Sequence, residues 1–225
     1  MQPAVIALLV TLLPAIAANL AYLMSATAGY VPWCLPYIDG CTTISQAARH
    51  GNALFIFRAI MMFYAILLIW YWWIVKLWLN SLDRQATRIA LIISWLGIIA
   101  ALFLVIYVDY LGSSGTVYRL MRRYGVIIYF SLTPLAHMLM INHLRKLKIT
   151  KPDTPITLNI LTYQTLIVIL ILIMGITHVV MSYTGLRSYE SENIIEWNYS
   201  LLLTLFFASS IYMWKDLNLK LMLNK

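Results

Sequence analysis

The chain has 225 residues, of which 62% are hydrophobic and 11% charged, with a net charge of +8 and a mean hydropathy of +0.82. Soluble domains carry about 45–50% apolar and about 25% charged residues, so water is excluded as the main solvent for this surface. The basic residues sit in short stretches between apolar runs, which points to membrane orientation and away from nucleic acid.

A membrane-crossing helix needs about 20 mostly apolar residues. Six stretches satisfy this, at about 4–24, 53–79, 89–110, 124–142, 156–183 and 197–214. The expected fold is therefore all-α, a polytopic transmembrane bundle of about six spans forming one domain over 1–225. The first stretch has no Lys or Arg ahead of it and exceeds the apolar core of a secretory signal, so it is expected to be a retained span.

Between the first and second spans lie Cys34 and Cys41, with Pro36 and Gly40 between them. They are expected to form a disulfide, worth about 2.5 kcal/mol in the loop-closure account, with two free thiols as the alternative. The spacing is not that of a zinc site, so no metal or other cofactor is expected. Placing both termini in the cytoplasm puts all the lysines inside, with ten of the 16 basic residues. The same orientation places the cysteine loop outside, where a disulfide persists. The expected location is the plasma or inner membrane.

The second span carries the aromatic run Trp70, Tyr71, Trp72 and Trp73, followed by Trp78, which reads as a belt at the headgroup level. Ser81-Leu82-Asp83-Arg84 and the Arg145–Lys151 stretch turn the chain on the lysine side, so consecutive spans are expected to be antiparallel neighbours. After Trp214, the Lys215–Lys220 stretch reads as a short basic amphipathic helix on the inner surface.

Ionisable residues within or beside a span are costly and therefore informative. Arg58 lies about 9 Å below the start of its span and His178 roughly 33 Å along the ascending fifth, at a rise of about 1.5 Å per residue. Asp109 ends the third span, Arg122 and Arg123 open the fourth, and Glu196 opens the sixth. All of them reach the cysteine side. Arg119, Arg122 and Arg123 share one side of a helix, after a Gly112–Gly115 turn whose backbone N–H groups suit an anion. Arginine forks match phosphate and carboxylate. The candidate site is thus a lipid-binding cluster of Arg49, Arg58, Asp109, Arg119, Arg122, Arg123 and His178 for an anionic headgroup. Arginines that merely snorkel to interfacial phosphates are the alternative. Arg58 and Asp109 are also expected to neutralise each other as an ion pair. His178 with Asp109 is a candidate acid–base dyad, although no nucleophile elbow, zinc helix or phosphate loop accompanies it.

The Cys41–Arg58 stretch, with Ile44-Ser45, Gly51 and Phe57-Arg58, resembles the corresponding region of the FRAG/DRAM/SFK family, which includes proteins that remodel the lipid of GPI anchors. Leu111–Gly125 resembles that family's outer turn between the third and fourth spans, and the six-span layout fits over essentially the whole chain. The family's frequent Pro-Glu is replaced by Asn52-Ala53, so no role of that acidic residue carries over. Ser45, Arg49 and Arg58 are the matching positions. The resemblance implies lipid remodelling or distribution, with membrane lipids as partners. An accessory subunit bound to other membrane subunits, or an intramembrane lipid-modifying enzyme, are the other readings.

Overall fold

The computed structural model describes residues 2–83, 86–215 and 217. Eight helices occur among them: α1 (Pro3–Thr27), α2 (Pro36–Asp39), α3 (Ile44–Ala47), α4 (Gly51–Leu82), α5 (Thr87–Asp109), α6 (Thr116–Thr150), α7 (Leu158–Thr184) and α8 (Tyr189–Trp214). The six long ones are apolar enough to cross a bilayer, and no strand occurs among the described residues. The chain is a multi-pass helical membrane protein. Arg84 and most of the expected tail helix, apart from Lys215 and Leu217, lie outside the described residues.

Two helices are longer than their apolar runs imply. Helix α6 begins at Thr116, eight residues before the expected span, so Arg119, Arg122 and Arg123 are all helical. Helix α8 begins at Tyr189 instead of 197, because Ser188 and Ser191 form a reciprocal capping box and Glu190 and Glu192 occupy the positive end of the helix dipole. Both extensions lie at the disulfide end of the bundle. The opposite, lysine end is closed by Lys151 Nζ on Asp83 Oδ1 at 3.1 Å, and by Lys148 Nζ donating to the Pro152 and Thr154 carbonyls.

Lipid supplies no hydrophobic drive between helices, so close packing and interhelical hydrogen bonds must hold them together. Close packing is visible at Gly125, where a Cβ would fall 2.8 Å from the Phe103 carbonyl oxygen and 2.8 Å from the Tyr107 nitrogen. The backbones of α5 and α6 touch there. At Gly97 a Cβ would meet the Trp72 indole, which lies flat against α5. This corrects the aromatic belt. Trp70 and Trp73 are exposed, but Tyr71, Trp72 and Trp78 are core residues. They occupy the buried face of α4 with Leu68, Val75 and Leu79, at helical spacing.

The polar cross-links run between helices. Tyr64 and Tyr129 hydroxyls lie 2.9 Å apart, Tyr71 bonds Ser210 at 2.7 Å, and Gln164 Nε2 donates to Ser209 at 2.7 Å. Buried His137 stacks on Phe206 with centroids 3.7 Å apart, as a packing residue. Pro134 has no N–H, so the Phe130 carbonyl one turn earlier loses its helical donor. Tyr199 on α8 replaces it, its hydroxyl donating to that carbonyl at 2.7 Å.

Helix α7 is the exception to this packing. Its buried residues are Leu161, Gln164, Ile167, Val168 and Ile171, all in the half nearer the lysine end. Beyond Ile171 it stands away from the bundle, and a Cβ at Gly175 would meet nothing within 4 Å.

Candidate functional site

The disulfide end is built on α8. Cys34 and Cys41 are bonded, which closes a loop that carries α2 and leads into α3. Along the first turns of α8, Asn193 Nδ2 donates to the Gly40 carbonyl at 2.6 Å and Trp197 Nε1 to Thr42 at 2.8 Å. Asn198 Nδ2 donates to Tyr37 at 2.8 Å. Gly40 permits this docking twice over. Its φ of +61 suits glycine, and a Cβ would fall 2.2 Å from the Glu190 carbonyl oxygen. Tyr22 of α1 locks the other side, meeting both the N–H and the carbonyl of Cys34 at 2.7 Å. The loop is thus a fixed roof, and it holds Ser45 and Arg49 over the helices.

Beneath it lies a cavity of about 510 Å³, lined by Ser45, Arg49, Tyr107, Arg119, Arg122, Arg123, Val126 and Glu196. Four of the sequence-predicted residues, Arg49, Arg119, Arg122 and Arg123, therefore converge on one space. Among the described residues none of these four has a carboxylate oxygen within 4.0 Å. Arg122 is partly engaged, since Nη1 donates to the Tyr110 carbonyl at 3.0 Å and the Ser113 carbonyl at 2.5 Å.

Arg58 and Asp109 are not part of this cavity, and the expected ion pair does not form. Helix ends leave carbonyls without donors. Arg58 Nη2 serves the end of α5, donating to the main-chain oxygen of its last residue, Asp109, at 2.6 Å and to that of Leu111 in the turn that follows. The Asp109 side chain is exposed at the helix end.

His178 is also elsewhere. It lines a second cavity of about 590 Å³ with Thr43, Val126, Ile127, Phe130, Gly175, Val179, Glu192, Ile195, Glu196 and Tyr199 among its walls. This is the groove left where α7 departs from α6 and α8. The carboxylate beside His178 belongs to Glu192, with Nε2 and Oε1 at 3.3 Å, and Arg187 pairs with the same oxygen. The expected His178–Asp109 dyad is thereby replaced by a His178–Glu192–Arg187 cluster that ties α7 to the first turns of α8.

The two cavities share Val126 and Glu196. Glu196 was absent from the expected site because the apolar run alone placed it at the mouth of its span. It lies two turns inside α8, and the capping serine at position 188 is the signal that would have shown this. Tyr107 was hidden in the apolar third span, with nothing in its sequence neighbourhood to mark it. Comparison with protein-family models, with curated proteins and with solved structures finds no match, so function is argued from this geometry.

Proposed function

We propose that this is a lipid-handling membrane protein, engaged in lipid remodelling or distribution, that holds an anionic lipid headgroup among Arg49, Arg119, Arg122 and Arg123. The observation that carries the reading is the pairing of two adjoining spaces. A cavity walled by four arginines that have no carboxylate within 4.0 Å among the described residues opens beside a largely apolar groove, and both share Val126 and Glu196. An amphiphile with an anionic head and acyl chains fits both at once. A free anion has no use for the groove. With the lysine-rich end in the cytoplasm, this site lies in the outer leaflet, where arginines run against the usual topological bias. The resemblance of the Cys41–Arg58 stretch to the FRAG/DRAM/SFK family agrees with the reading and is proposed with it.

The test uses the full chain in lipid nanodiscs and native mass spectrometry of the retained lipids. Arg122 also supports the turn after α5, so Arg119→Ala/Arg123→Ala is the cleaner variant. A charge-assisted hydrogen bond is worth about 1.5–3 kcal/mol, so losing two arginines should reduce retained anionic lipid by more than tenfold. A folded double variant with an unchanged lipid profile would reduce the arginines to interfacial anchors. The accessory-subunit reading would then lead.

A further inference from the structure

The arginine cavity contains one acidic wall, and its state is unusual. Glu192 and Glu196 lie one turn apart on α8, yet they are treated differently. Glu192 is taken up by Arg187 and His178. Glu196 has no cation within 4.0 Å among the described residues and accepts from the Ser45 backbone N–H at the start of α3 at 3.4 Å. It borders both cavities and also a small void of about 50 Å³ that runs inward to Tyr64 and Tyr129. A carboxylate has about four acceptor positions, so this one backbone donor leaves it capacity for a ligand.

This arrangement disfavours two headgroups. A bare phosphate monoester would bring more negative charge against Glu196. A quaternary ammonium beside the phosphate would offer Glu196 no N–H. A phosphodiester whose headgroup carries a primary ammonium or a hydroxyl satisfies both walls, with the phosphate, the anionic group of the headgroup whatever its net charge, on the arginines and the donor on the carboxylate. We propose that Glu196 selects the headgroup, and that the cavity takes a phospholipid bearing an N–H or O–H donor beside its phosphate. This rests on the function proposed above and names its substrate class.

The experiment reconstitutes the full chain in nanodiscs containing equal amounts of phosphatidylethanolamine, phosphatidylglycerol, phosphatidylcholine and phosphatidic acid with identical chains. Retained lipids are counted by native mass spectrometry. The wild type should enrich phosphatidylethanolamine or phosphatidylglycerol about tenfold over the other two, the scale of one charge-assisted hydrogen bond. Whichever of the two leads identifies the donor as ammonium or hydroxyl. Glu196→Gln should lower that enrichment to about twofold or less while total phospholipid is kept. Glu196→Asp, which retains the charge on a shorter stem, should keep the order of preference and weaken it. A wild type that retains phosphatidylcholine or phosphatidic acid equally well overturns the proposal. So does a folded Glu196→Gln, or failing that Glu196→Asp, with undiminished selectivity. Loss of all dependence on Arg119 and Arg123 would instead remove the underlying headgroup reading.

Discussion

The contact between Tyr199 and the Phe130 carbonyl makes a sharp prediction, because its cause is a single residue elsewhere. Pro134 deprives that carbonyl of its helical donor, and the Tyr199 hydroxyl stands in at 2.7 Å. Removing the hydroxyl with Tyr199→Phe leaves a main-chain acceptor facing the apolar groove. An unmade bond to a buried group costs about 1–3 kcal/mol, while measured side-chain bonds between membrane helices average about 0.6 and reach about 1.7. The backbone is a stronger acceptor than a side chain, so about 1–1.5 kcal/mol is expected here. In a Pro134→Ala background the alanine N–H returns to Phe130, and the same Tyr199→Phe change should cost near zero. The coupling is thus expected at about 1 kcal/mol. Unfolding of the four proteins in mixed micelles, followed by circular dichroism, measures it. Equal costs for Tyr199→Phe with and without Pro134 would refute the account, and Tyr199 would then matter only for its ring.

Three further outcomes are expected. Asp109→Asn should change stability by less than about 0.5 kcal/mol, whereas Arg58→Met should cost about 2 kcal/mol by freeing two carbonyls; equal effects in a thermal melt would restore the ion pair. Gly125→Ala should destabilise by about 1–3 kcal/mol despite the better helix propensity of alanine, because the clash is with backbone that cannot turn aside. For orientation, an impermeant thiol reagent applied to intact cells should label Ser114→Cys and not Ile149→Cys, both made in a Cys34→Ser/Cys41→Ser background. The reverse pattern would invert the site to the inner leaflet.

The six spans were legible because a bilayer imposes a length and an apolarity that the chain cannot evade. The limits of that rule explain the misses. At the start of α8, Glu190, Glu192, Asn193 and Glu196 depress the hydropathy, so a reading by apolar run stops at Trp197 although a capped helix continues outward. The aromatic run was misjudged because neighbours in sequence were treated as neighbours in space. Helical spacing separates Trp72 from Trp70 and Trp73, and only the first shares a face with Leu68 and Leu79. Arg58 and Asp109 were correctly placed at one depth. Their pairing failed because a sequence displays carboxylates and hides the unpaired carbonyls at a helix end, which compete for the same guanidinium. The arginine cluster was legible for the opposite reason, since its helical spacing lies open in the sequence.

The shape of α7 bears on the function proposed above, because it leaves the groove that adjoins the arginine cavity. Its half nearer the lysine end is fixed to α8 through Gln164 and Ser209. Its far end is held again through His178 on Glu192, which the following connection also reaches through Arg187. Between these ties, the stretch around Gly175 stands clear of the bundle, and the groove opens there. A helix tethered at both ends leaves a slot, not a loose flap. Ile176, Val179 and Val180 beside it are exposed, as a surface facing acyl chains should be. On the proposed function, a lipid moving in the bilayer would meet the slot edge-on. Its chains would pass between α6 and α7, and its headgroup would slide past Val126 to the arginines. The charges alone mark an anion site. The slot is what favours, in the function proposed above, an anion attached to chains over a free one.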